Sequence, residues 1–236
     1  MNTELKNEPV EKIYKQLTMA LNMPSYVLPQ IKEHKADGGY MTYGQDNLYP
    51  QWLNKLFAGS SLHNAIVLRK KNEIIANGLY SVSGNEKLQS FLSECNNKGF
   101  GFEDVFNKIV LDYLIYGGFA LQIIYTKATG KIAEIYYMDY GSLRYSLNAN
   151  KIKYSKDWGM SRVKSIEYDL YSKDDPKGNK IFIYSGTITR NWYAIPEYTG
   201  ALPYIEAQCE IANYNLNLIK NGLAPSLFIN LKNGIP

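Results

Sequence analysis

A chain of 236 residues with 45% hydrophobic content and 20% charged side chains can bury a sizeable core and does not belong to the disordered class. Its 26 Lys+Arg against 22 Asp+Glu give a net charge of +4, too small to argue alone for an electrostatic grip on nucleic acid. Apolar runs fall short of the roughly 18 residues of a membrane span, and the polar, acidic start Met1-Asn-Thr-Glu-Leu-Lys-Asn-Glu8 is unlike a signal peptide, so no membrane role is expected and the protein is expected to act in the cytoplasm where it is made.

Residues 1–45 read as an N-terminal arm. A short helix is expected over Val10 to Leu21, Pro24 and Pro29 interrupt the chain beyond it, and Asp37-Gly38-Gly39 marks a turn. From Asp46 an α+β domain is expected to run to residue 198. It opens with a helix around Trp52 to Phe57, and a second, capped by Ser60 or Ser61, carries Leu62, Ala65, Ile66, Arg69 and Ile74 to a stop at Asn77-Gly78. A brief strand at Leu79 to Val82 and a helix from Glu86 to Glu94 come next. A stronger helix spans Phe102 to Tyr116, where Phe102, Val105, Phe106, Ile109, Val110, Tyr113 and Leu114 share one face.

After Gly117-Gly118 the period changes. Phe119 to Tyr125 and Ile132 to Met138 are rich in β-formers around a Gly-containing loop, which predicts a hairpin. Further strands are expected at Leu143 to Leu147, Ile152 to Tyr154, Ile166 to Tyr171 and Ile181 to Ile183, as an antiparallel meander. The last segment, 199–236, is dominated by one long helix with Pro203 in its first turn and Asn221-Gly222, then Pro225, as its stop. At about 1.5 Å per residue it is roughly 30 Å long. Tyr204, Ala207, Ile211, Tyr214 and Leu218 form its apolar stripe, expected to be the packed face, while Glu206, Glu210, Asn213, Asn217 and Lys220 lie off it.

Catalytic chemistry finds no constellation in this order of residues. His34 and His63 lack metal or general-base spacing, no GxxxxGK[ST] loop or GxSxG elbow occurs, and Cys95 and Cys209 have neither a CxxC partner nor an evident base. The chain is read as a non-enzyme without cofactor or metal. The 21 Tyr against 8 Phe are unusual, and tyrosine suits surfaces that are half wet, as at subunit contacts, although compositional bias explains the excess equally well. One binding reading stands apart: Lys151, Lys153, Tyr154, Lys156 and Trp158 mix bases and rings as a small nucleic-acid-binding module does, against the plainer reading of lysines guarding strand edges.

In order and spacing, several segments together resemble portal proteins, the head-to-tail connectors of tailed phages, of the type found in phages and prophages of Bacteroidetes. They are Tyr49-Pro-Gln-Trp-Leu53, Ser61-Leu-His-Asn-Ala-Ile-Val67, Asn77-Gly78 and Tyr116-Gly-Gly-Phe-Ala-Leu121. Met138-Asp-Tyr-Gly-Ser-Leu-Arg144, Ile195-Pro-Glu-Tyr-Thr-Gly200 and Asn221-Gly-Leu-Ala-Pro-Ser226 complete the set. The resemblance implies a homo-oligomeric ring of about twelve subunits, closed by cyclic symmetry, at one capsid vertex of the virion. Double-stranded DNA would pass through it in packaging and ejection, with the terminase large subunit, capsid and head–tail adaptor proteins as partners. It makes residues 46–198 a wing domain and the Pro203 to Lys220 helix a first stem helix. Glu206, Glu210, Asn213, Asn217 and Lys220 then become channel-facing candidates. The clip, second stem helix, tunnel loop and crown that portals carry would come after Pro236, so the resemblance is to the N-terminal part only.

Overall fold

The computed structural model describes residues 32–76, 78–82, 84–148, 150–160, 163–186 and 192–221. The expected helix at Val10 to Leu21 and the stop at Gly222 and Pro225 lie outside them. Two short strands come first, β1 (Lys35–Ala36) and β2 (Tyr40–Met41), paired antiparallel across the turn at Asp37-Gly38-Gly39, where Gly39 takes a φ of 71°. The chain then enters the core: Met41, Tyr43 and Tyr49 are buried.

Helix α1 (Tyr49–Gly59) tolerates Pro50 because the first turn has no intrahelical use for its N–H. Ser60, in an extended conformation, ends one helix and starts the next. Its N–H donates to Leu56 O at 3.0 Å, closing α1, while its hydroxyl accepts from the N–H of His63 at 3.1 Å and caps α2 (Ser61–Ile75). Helix α3 (Glu86–Ser93) is capped by Asn85, which accepts from Lys87 and Leu88. Helix α4 (Phe102–Tyr116) has the predicted bounds and stops at Gly117, whose φ is 82°. A Cβ there would lie 2.4 Å from Ile195 O, so both the backbone angle and the space demand glycine.

A six-stranded sheet comes next, made of β3 (Gly118–Tyr125), β4 (Ile132–Met138), β5 (Leu143–Tyr145), β6 (Lys151–Tyr154), β7 (Ile166–Leu170) and β8 (Asn179–Ser185), in the order β4-β3-β8-β7-β6-β5. The class is α+β, ending in a long helix. Two details differ from the expectation. Residues 79–82 form no strand: they enter neither sheet of the described residues, and β-forming side chains alone do not make a ladder. The sheet is also mixed: β7 and β8 run parallel, matched at Asp169↔Lys180 and Leu170↔Ile181, although the other neighbours are antiparallel. Hydrophobic alternation fixes which residues share a face and is blind to strand direction.

The main core forms where α4 lies on one face of β3, with Val105 and Ile109 against Leu121, Ile123, Tyr125 and Ile135. Burying each aliphatic side chain of this kind contributes about 1.5–3 kcal/mol. Cys95 and Asn96 cover the edge strand β4, the Ile135 N–H donating to Cys95 O at 2.9 Å and the Asn96 amide donating to Ile135 O at 3.2 Å. A 3-10 turn, Glu197–Ala201, then launches α5 (Leu202–Lys220).

Candidate assembly surface

Helix α5 meets the body through its first two turns. Leu202 and Ile205 are buried, the Ser60 hydroxyl donates to the Gln208 amide oxygen, and Cys209 Sγ sits against Gly59. Every residue from Glu210 to Lys220 except the half-buried Leu218 is exposed. The apolar stripe expected to pack is the outward one: Tyr204 is 79% exposed, Ile211 60% and Tyr214 63%. At 100° per residue the packed Leu202, Ile205 and Cys209 lie on the opposite side of the helix from Tyr204, Ile211 and Tyr214. Both sets obey a three-and-four spacing, and periodicity cannot choose which of two apolar stripes faces the chain's own core.

The channel-facing candidates run from the line of the packed Leu202, where Lys220 and Asn213 lie, round toward the outward stripe, which Glu210 approaches most closely. Glu206 is half-buried, while Glu210, Asn213, Asn217 and Lys220 are exposed. Burial raises the Glu206 pKa, and the Glu210 carboxylate one turn on adds to the rise.

Between α2, α4 and the 3-10 turn lies a partly open cavity of about 100 Å³ lined by His63, Ile66, Val67, Tyr113, Glu197 and Tyr198. Tyr198 donates to Ile115 O at 2.7 Å and Tyr113 to Glu197 Oε1 at 3.1 Å, which pins the 3-10 turn to α4. The His63 ring lies 4.5 Å from that of Tyr198, its Nε2 is buried without a protein partner among the described residues, and burial lowers its pKa.

The nucleic-acid candidates come apart in the structure. Trp158 is buried, donates its indole N–H to Ser142 O at 2.9 Å, and has the tilted Tyr40 ring at 4.8 Å and the Arg144 guanidinium at 4.9 Å. It has no free face for a base. Lys151 pairs with Glu167 at 3.2 Å, Lys153 donates to Gly38 O at 2.7 Å, Tyr154 is half-buried, and Lys156 is exposed. The base-stacking set is therefore a correction: its central ring belongs to the core, which the mixture of Lys and aromatic residues in sequence could not reveal.

What sequence reasoning missed is the centre of that core. Arg144 is fully buried and donates to Asn47 Oδ1 and O, Gly141 O and Leu143 O, with the Tyr43 ring 5.5 Å away. Asn47 takes a positive φ of 62°, which aims its carbonyl at the guanidinium. Desolvation lowers the Arg144 pKa to about 10, so it stays charged at neutral pH. Around it Tyr43, Tyr140 and Tyr193 are buried with their hydroxyls satisfied by Ala194 and Met41 backbone groups. Many of the tyrosines thus serve inside the subunit.

No protein-family model matches the chain, and no curated protein matches it by sequence. Solved structures do. A chain in the neck of the empty gene transfer agent particle, computed with C6 symmetry, is 15% identical with a TM-score of 0.59, covering 93% of this chain and 54% of that one. The likeness is one of fold. A chain in the virion of the native gene transfer agent particle matches with the same figures. A third, in the neck of the native particle computed with C12 symmetry, is 16% identical with a TM-score of 0.51 over 75% of this chain and 47% of that one. The chain thus spans about half the length of the structures it matches.

Proposed function

We propose that this chain is a structural subunit of the head–tail neck of a phage-like particle. In its finer form it is the wing and first stem helix of a portal ring, working by assembly around DNA and without bond-making chemistry. The observation that carries the reading is the outward apolar stripe of α5, on a fold shared along 93% of the chain with a protein of a particle neck. A monomer in water gains nothing from displaying Tyr204, Ile211 and Tyr214 in a row, whereas a subunit whose neighbours are copies of itself buries them. The side of α5 carrying Glu206, Glu210, Asn213, Asn217 and Lys220 is then the one that remains for the channel. A polar, weakly charged wall lets DNA slide where a basic one would hold phosphate. The capsid, adaptor proteins and terminase are the partners this role requires. Light scattering and negative-stain microscopy of the purified chain test it: closed rings of many copies are expected, and a chain that stays monomeric up to about 100 μM, well above the micromolar range of ordinary specific association, overturns it.

A further inference from the structure

The outward stripe of α5 has a counterpart on the same molecule. Helix α2 packs through His63 and Val67 and leaves Leu62 (61% exposed) and Ile66 (50%), the latter at the rim of the cavity that His63 and Val67 line, exposed on the adjoining flank. Arg69 lies on that side one turn beyond, exposed and paired with Glu73 at 2.9 Å. The two surfaces differ in charge: α2 carries Arg69, Lys70 and Lys71 against Glu73, while the first three turns of α5 carry Glu206 and Glu210 and no base. By helical periodicity Glu210 borders the stripe of Tyr204, Ile211 and Tyr214, much as Arg69 borders Leu62 and Ile66.

We propose that the α5 stripe of one copy packs on the Leu62–Ile66 face of α2 in the next copy, with Glu210 meeting Arg69 across the contact. This rests on the assembly reading above and adds which two surfaces meet. The occupant is a second copy because the apolar strips are matched and the charges opposed on one chain. A two-fold α5–α5 contact would instead bring Glu206 and Glu210 toward their own copies and would end at a dimer. Two different patches make the contact heterologous, the kind that closes into a ring instead of ending at a dimer. It also assigns Glu210 to the subunit boundary and leaves Glu206, Asn213, Asn217 and Lys220 to the channel side.

The test is cysteine pairing in the full chain, with Cys209→Ser as background and the buried Cys95 left in place. Ile66→Cys with Ile211→Cys is expected to give, on mild oxidation, a ladder of covalent multimers, with neither single variant doing so. Glu210→Lys is expected to weaken assembly at least tenfold, and adding Arg69→Glu to restore it. Thermal melts of the monomeric fraction confirm that each variant folds. Rings that form without the 66–211 link, or covalent dimers from Ile211→Cys alone, overturn the proposed contact and leave the assembly reading standing. A folded chain that forms no oligomer overturns both.

Discussion

Arg144 is a cation with no carboxylate partner among the described residues, held at zero exposure by four carbonyl and amide oxygens and two aromatic faces. Replacing it by methionine keeps an unbranched apolar stem but removes the guanidinium and strands the oxygens of Asn47, Gly141 and Leu143 in a dry site, each costing about 1–3 kcal/mol when unpaired. Arg144→Met is expected to lose about 3–5 kcal/mol in urea unfolding, and Arg144→Lys, unable to form the planar fork, to recover less than half of it. Asp112 poses the opposite problem. It accepts from Tyr137 Oη at 3.0 Å and from the Tyr140 N–H at 3.0 Å, and burial outweighs both bonds, pushing its pKa up to about 8. Between the unfolded value of about 3.9 and 8 the folded chain binds the extra proton, so stability falls as pH rises through this window and levels off above it. Asp112→Asn, which can accept from Tyr140 and donate to Tyr137, is expected to remove up to about 1.4 kcal/mol per pH unit of that slope, read from urea midpoints at pH 5 to 8. Neither residue was legible in sequence. A lone Arg in a strand and a lone Asp in a helix look like solvated charges, and the groups that bury them, Asn47 and Tyr140, come from distant parts of the chain.

Among the elements, α4 and the β3–β4 hairpin were legible because local signals agree: an acidic first turn, a glycine stop, and a switch from a period near four to one of two. The turn at Gly117 needs glycine for its own backbone, so its position is written in one residue. The parallel β7–β8 pair and the missing strand at 79–82 were not legible, since both depend on which distant edge is free. The same limit hid the orientation of α5, where two stripes satisfy one period. That orientation has a measurable consequence. Ser60→Ala removes the cap of α2 and the bond to Gln208 together and is expected to cost about 1–2 kcal/mol of subunit stability. Ile211→Ser alters an exposed side chain and is expected to change subunit stability by no more than about 0.5 kcal/mol, while dissociating the oligomer in sizing columns. If instead Ile211→Ser destabilises the isolated subunit as Ser60→Ala does, the stripe is covered from within and α5 is not an assembly element.

At the scale of the whole molecule, the fold places a well-packed sheet-and-helix body at one end of α5 and leaves the outer half of that helix without neighbours among the described residues. That outer half gains little from packing within the subunit, and most helical stability in proteins comes from a packed amphipathic face. On the proposed assembly its order is completed by other copies, and subunit folding and assembly become linked by mass action. The linkage predicts a melting temperature that rises with protein concentration. Each tenfold increase stabilises the assembled subunit by close to 1.4 kcal/mol. In a chain of this length that corresponds to roughly 3–5 °C. Scanning fluorimetry across a hundredfold concentration range is expected to show this rise for the native chain and a flat line for Ile211→Ser. A melting temperature of the assembled native chain that stays independent of concentration, or one that rises equally for Ile211→Ser, would place the apolar stripe of α5 outside any contact between copies.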